Sequence, residues 1–125
     1  MSQLKILLVD DEPDIREILK DILSIKGHSV LEAADAKEGL KILNTKEVDV
    51  IFSDMNMPGM SGLDFFKEAK LIPLAKNTKR FLVTGDLDPT EKLSPEDKAN
   101  SLIHGFINKP FNDEQLDTAI LSLKK

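Results

Sequence analysis

The sequence predicts an α/β fold, an open, doubly wound parallel sheet of five strands alternating with five helices, and three observations carry that expectation. Short continuous runs of apolar and β-branched residues, such as Ile6-Leu7-Leu8-Val9, alternate along the chain with stretches whose apolar residues recur at helical spacing. Runs without polar alternation belong to strands covered on both faces, as parallel sheets are. The 125 residues contain no internal repeat and no linker-like stretch, so residues 1–125 read as one domain. Such an alternation closes into one sheet through right-handed crossovers, with helices on both faces.

The elements follow in order. The first strand covers 6–9 and stops at Asp10-Asp11. Ile15, Ile18, Leu19, Ile22 and Leu23 then keep helical spacing, with Pro13 suited to the first turn and Gly27 to a left-handed stop. A second strand covers 29–33, after which Asp35 caps a helix with Ala36, Leu40 and Leu43 on one face. The third strand, 48–53, leads into Asp54, and Met57-Pro58-Gly59-Met60 is turn chemistry. Ser61 caps a helix reaching Lys70 with Leu63, Phe66 and Ala69 inward; of Phe65 and Phe66, one is expected in the core and one partly exposed. The fourth strand covers 80–84. Segment 85–99, with Pro89, Pro95 and few apolar residues, reads as a long loop and a short fourth helix opened by Ser94-Pro95-Glu96-Asp97. A fifth strand covers 104–108, and Asn112 caps a last helix with Leu116, Ala119, Ile120 and Leu123 inward.

Composition removes several classes of function. With no cysteine, thiol nucleophiles, Cys-ligated zinc and iron–sulfur clusters are excluded. A net charge of −5 offers no electrostatic footprint for nucleic acid. No apolar run approaches the ~20 residues of a membrane span. The first residues, Met-Ser-Gln-Leu-Lys, lack the pattern of a secretory signal, so a cytoplasmic location is the expectation.

In open parallel sheets the functional site lies at the C-terminal ends of the strands, near the point where strand order reverses. Here those ends carry Asp10 and Asp11, then Asp54, then Thr84, with Lys109 after the fifth strand. Carboxylates at about 4 Å repel by roughly 4 kcal/mol per pair at an effective dielectric near 20. A hard divalent cation relieves that repulsion, and all-oxygen ligation suits Mg²⁺ or Mn²⁺ better than zinc. With a cation and a lysine beside it, a carboxylate is placed to attack a phosphoryl group, and Thr84 to bond one of its oxygens.

The motifs Leu8-Val9-Asp10-Asp11-Glu12, Asp54-Met55-Asn56-Met57-Pro58-Gly59-Met60-Ser61-Gly62, Thr84-Gly85 and Asn108-Lys109-Pro110-Phe111 stand in one order over nearly the whole chain. In this the chain resembles the receiver domains of bacterial two-component response regulators, close to the single-domain chemotaxis type. The resemblance implies a flavodoxin-like sheet of strand order 2-1-3-4-5. It also implies that Asp54 accepts a phosphoryl group from a histidine kinase or phosphotransfer protein. Asp10, Asp11, Asp54 and the backbone carbonyl of Asn56 would hold Mg²⁺, with Mn²⁺ as a substitute. Thr84 would be the switch hydroxyl, Lys109 its charge partner and Phe106 the switch aromatic, acting by packing because it has no phenolic hydroxyl. Asn56 and Asp86 would tune hydrolysis of the phosphoaspartate, and the peptide between Lys109 and Pro110 would be cis. Such a domain is a signalling switch with self-phosphotransfer and autodephosphorylation only, acting on a downstream protein that the sequence does not name.

Other readings meet specific obstacles. A haloacid-dehalogenase-like phosphohydrolase wants an acid two residues after the nucleophile, where this chain has Asn56. A flavodoxin-like cofactor binder needs a hydroxyl- and glycine-rich phosphate loop where Asp10-Asp11-Glu12 stands. A receiver serving only as an interaction module need not keep every chemical position filled. Met55, Met57 and Met60 read as packing residues, and His28 and His104 as structural or surface groups.

Overall fold

The computed structural model describes residues 3–85, 91, 93–99, 102–109 and 113–123. Its elements are β1 (Lys5–Val9), α1 (Pro13–Ile25), β2 (Ser29–Ala33), α2 (Ala36–Leu43), β3 (Val50–Asp54), α3 (Gly62–Ala69), a 3₁₀ turn at Pro73–Ala75, β4 (Lys79–Thr84), α4 (Pro95–Ala99), β5 (Gly105–Asn108) and α5 (Asp113–Leu123). All strand pairings are parallel, in the order β2-β1-β3-β4-β5. The expected sheet order and five helices are therefore present.

Successive strand residues point to opposite faces, so each apolar run feeds two cores. Ile6, Leu8, Val50, Phe52, Phe81, Val83 and Ile107 pack with Leu19 and Leu23 of α1 and Leu116 and Ile120 of α5. Leu7, Val9, Ile51 and Leu82 pack on the other face with Leu43 of α2, Phe65 and Phe66 of α3, and Leu93 and Leu102 around α4. Double coverage is why these runs show no polar alternation.

Local chemistry sets the helix ends as the sequence leads one to expect. The carboxylate of Asp35 accepts from the Glu38 N–H at 2.8 Å, and the Ser61 and Ser94 hydroxyls accept from the Asp64 and Asp97 N–H groups, both at 3.1 Å. Pro13 opens α1, and Gly27 takes φ +93° after it. Asn112 lies outside the described residues.

Two local expectations are corrected, and the burial of one charged residue is added. β3 begins at Val50 rather than 48, because the Asp49 carboxylate turns aside to accept the Lys5 N–H at 2.7 Å. Phe65 and Phe66 are both fully buried. The slot that admits Phe65 is opened by Gly39 of α2, where a Cβ would come within 3.0 Å of the ring. Helical spacing within α3 carries no record of that neighbour. Arg80 in β4 is buried, its Nε donating to the Leu102 carbonyl at 2.7 Å and so tying the approach to β5 onto the sheet.

The two histidines are structural. Nδ1 of His28 accepts from the Leu4 N–H at 3.1 Å, and Nδ1 of His104 from the Arg80 N–H at 2.9 Å, each just before an edge strand. Desolvation, with the Arg80 and Lys79 cations, pushes the His104 pKa down to about 4. The unfolded chain takes up this proton near the ordinary value of 6.5, so the contribution to stability is present above that pH and is lost as pH falls toward about 4. His104 is exposed, and solvent screening keeps the effect below that of a buried ring. His104→Asn, whose Oδ1 can accept the same bond, is expected to lose less of its urea midpoint than the wild type between about pH 7 and pH 5. Equal losses in the two proteins contradict the assignment.

Candidate functional site

Three strands deliver buried polar side chains to one edge. Asp10 follows β1, Asp54 ends β3 and Thr84 ends β4, and none of the three is more than 6% exposed. β5 is followed by Lys109, whose N–H donates to the Thr84 carbonyl at 2.7 Å and so locks the β5 exit onto β4. The Lys109 ammonium nitrogen stands 3.2 Å from Asp54 Oδ1, 3.8 Å from Asp10 Oδ2 and 3.9 Å from Glu12 Oε1. Carboxylate oxygens of Asp10, Glu12 and Asp54 lie within 4.8 Å of one another.

The backbone beneath is tightly held. Met55 donates to the Val83 carbonyl at 3.2 Å, and Gly62 donates to the Met55 carbonyl at 2.8 Å. A Cβ on Gly62 would sit 2.5 Å from the Asp54 carbonyl oxygen, so only glycine lets α3 start this close to the carboxylate-bearing strand. The turn that leads into α3 places Gly59 at φ +84°.

Burial is the main cause that pushes the Asp10 pKa up to about 6, with the Asp54 and Glu12 charges adding to it; the Glu12 N–H and the Lys109 ammonium oppose the rise. The Glu12 N–H donates to Asp10 Oδ1 at 2.9 Å, whereas Oδ2 is buried without a hydrogen-bond partner among the described residues. An unpartnered buried carboxylate oxygen, facing two further carboxylates and one ammonium, suits a hard divalent cation bound by oxygen ligands. The donor set therefore fits such an ion.

The structure brings together Asp10, Asp54 and Lys109 as the sequence leads one to expect. Asp11 is exposed and is not among the converging carboxylates; Glu12 is. Glu12 is the N-cap residue of α1, yet its side chain makes no capping bond. No signal in the sequence ranks Glu12 above Asp11, because the direction of the side chain at the first turn of α1 decides it. The Thr84 hydroxyl, buried at the same edge, donates to Met55 Sδ at 3.4 Å. Asn56 is exposed beyond the end of β3. Phe106 is half-buried in β5 against the core shared with α3, and it lines a groove of about 500 Å³ between β5 and α5. Asp86 and Pro110 lie outside the described residues. Met55 and Met57 are buried and Met60 packs against the same core, so all three methionines serve packing. No described helix is long and apolar enough to cross a membrane.

With the site in place, comparison with known proteins gives a consistent result. The profile of the response regulator receiver domain matches residues 6–121. Sporulation initiation phosphotransferase F of Bacillus subtilis is 30% identical, over 96% of this chain and 93% of its own length. Chemotaxis protein CheY of Pseudomonas aeruginosa is also 30% identical, over 94% and 93%. The match to the larger transcriptional regulatory protein DctD of Rhizobium meliloti covers 89% of this chain but only 23% of that protein. The solved chemotaxis response regulator CheY4 of Vibrio cholerae superimposes with a TM-score of 0.86 at 34% identity, covering 98% of this chain and 99% of its own. Response regulator TrrA of Thermotoga maritima, solved in complex with Mg²⁺ and beryllofluoride, gives 0.81 at 30% identity over 97% and 99%.

The raised Asp10 pKa measures what the fold gives up to keep this group charged. A displacement from 3.8 to about 6 corresponds to about 3 kcal/mol against the ionised form. Asp10→Asn is therefore expected to stabilise the metal-free protein by roughly 1–3 kcal/mol in urea denaturation at neutral pH. Added Mg²⁺ should raise the wild-type midpoint and leave that of the variant nearly unchanged. A variant no more stable than wild type in EDTA would contradict this account of the site.

Proposed function

This chain belongs to the response regulator receiver domain family, and on that premise we propose that it is a phosphorylation-controlled signalling switch with Asp54 as phosphoacceptor. One observation carries the reading: the Lys109 ammonium lies 3.2 Å from Asp54 Oδ1, in a pocket where Asp10 Oδ2 has no described hydrogen-bond partner. Receiver domains take their phosphoryl group from histidine kinases or phosphotransfer proteins, and this chain is assigned the same class of donor. The downstream partner is a protein of unassigned identity, and the site is assigned to the cytoplasm, where such donors present their phosphohistidine.

The chemistry follows from the charges. An Asp54 carboxylate oxygen attacks phosphorus as the P–N bond of the donor phosphohistidine breaks, and the imidazole leaves with a proton from solvent. The product is an acyl phosphate on Asp54. Asp10, Asp54 and the Asn56 carbonyl, with Asp11 or Glu12 nearby, would hold a divalent cation, which would supply electrostatic stabilisation of the phosphoryl oxygens. Mg²⁺ is the assigned ion and Mn²⁺ a workable substitute. Lys109 exchanges its contact with Asp54 for a phosphoryl oxygen, which frees the carboxylate to react and neutralises the charge it gains. The Thr84 hydroxyl leaves Met55 for another phosphoryl oxygen, and Phe106 repacks into the space vacated, altering the β5–α5 groove. Asn56 and Asp86 orient the water that later hydrolyses the acyl phosphate, so the domain returns to its resting state unaided. No separate substrate is turned over, and the domain is not an enzyme beyond transfer to itself and this hydrolysis.

Intact mass after incubation with acetyl phosphate and Mg²⁺ tests the reading. Wild type should gain one labile phosphoryl group, and Asp54→Ala, or wild type with excess EDTA, should gain none. Lys109→Ala is expected to slow labelling about a hundredfold, the loss typical of one preorganised donor to developing charge. Absence of an adduct in wild type would reduce the chain to a phosphorylation-independent binding module. A phosphoaspartate surviving many hours in the purified Mg²⁺-bound protein would contradict the role given to Asn56 and Asp86.

A further inference from the structure

Three of the four polar atoms of Asp10 are fixed by hydrogen bonds. Its N–H donates to the Ala33 carbonyl of β2 at 3.2 Å, and Oδ1 accepts from the Glu12 N–H at 2.9 Å. Its carbonyl accepts from a terminal guanidinium nitrogen of Arg16 at 2.7 Å. Only Oδ2 has no described hydrogen-bond partner, and it faces the Lys109 ammonium at 3.8 Å. Arg16 is itself held: its Nε stands 3.6 Å from Oε1 of Glu32 in β2, whose other carboxylate oxygen takes the Lys20 ammonium at 3.2 Å. The Arg16 side chain is 18% exposed, one turn into α1, and its Nε is buried with no closer hydrogen-bond acceptor described.

We propose that Arg16, oriented by Glu32, is a positioning residue for the cation site: it clamps the Asp10 peptide between α1 and β2 so that Oδ2 is the one oxygen presented to the ion. The inference rests on the reading of the acidic cluster as a divalent cation site. The guanidinium is suited to this because one planar group reaches the Asp10 carbonyl from one edge and the Glu32 carboxylate from another, which a lysine cannot do. Glu32 is half-buried on an edge strand, and its described ion pairs are to Arg16 and Lys20. Without the clamp the β1–α1 turn keeps its charge but loses the fixed orientation of its ligand, and ligand orientation from outside the coordination sphere typically governs metal affinity by tenfold or more.

The test is a MgCl₂ titration followed by thermal unfolding and by calorimetry on wild type, Arg16→Gln, Arg16→Lys, Glu32→Gln and Asp10→Asn, each also melted in EDTA. Arg16→Gln and Arg16→Lys should raise the half-saturating Mg²⁺ concentration about tenfold, and Glu32→Gln should raise it less. Labelling by acetyl phosphate should fall at low Mg²⁺ and return to the wild-type rate at saturation, since Arg16 touches no reacting atom. An unchanged half-saturation in the Arg16 variants, with or without a lower melting point in EDTA, overturns the proposal and leaves Arg16 a structural residue. If the Arg16 variants fail to fold, Glu32→Gln carries the test by the same criterion. Wild type that shows no Mg²⁺ response at all, matching Asp10→Asn, refutes instead the cation site on which the inference stands.

Discussion

Three carboxylates forced to one edge of a parallel sheet are the constraint on which the rest of this molecule depends. Asp10, Glu12 and Asp54 converge within 4.8 Å, and a single ammonium, Lys109, stands among them. Burial is the main cause of the raised Asp10 pKa, and the imbalance of three negative charges against one positive adds to it. The resting site is held together by Lys109 and is short of positive charge. On the proposed reading a divalent cation would correct that shortage and let the site accept the anionic phosphoryl group that the bare cluster would repel. The same electrostatics account for the fit of a divalent cation and for the position of Lys109.

The fold makes such an arrangement affordable. Five strands, all with apolar residues on both faces, give a rigid floor in which the carboxylate-bearing positions have no freedom to separate. Close approach at Gly62, the Asp10–Ala33 ladder bond and the Lys109–Thr84 bond fix the edge from three directions. The opposite edge of the sheet is closed by side chains that bond to the backbone: His28 and His104 each accept a backbone N–H, and Arg80 holds the Leu102 carbonyl.

Much of this was legible in the residues. Strand positions followed from uninterrupted apolar runs, and helix starts from Pro13, Asp35, Ser61 and Ser94, because burial on both faces and capping are local signals. What was not legible depends on neighbours remote in sequence. Burial of both Phe65 and Phe66 needs the gap at Gly39, and burial of Arg80 needs the Leu102 carbonyl. At the site, the strand-end rule located Asp10, Asp54, Thr84 and Lys109, but it could not rank Asp11 against Glu12. That ranking is set by which side chain turns inward at the first turn of α1, where Arg16 also reaches back to Asp10. The parts assigned to Asp86 and Pro110 fall outside the described residues.

The most direct test of the central claim is a crystal structure of the protein with Mg²⁺ and beryllofluoride. The account predicts a beryllofluoride group bonded to an Asp54 carboxylate oxygen, the ion ligated by Asp10 and Asp54, and the Lys109 ammonium moved from Asp54 onto a fluorine. An ion bound away from Asp10, or Lys109 still paired with an unmodified Asp54 at saturating Mg²⁺ and beryllofluoride, would contradict it.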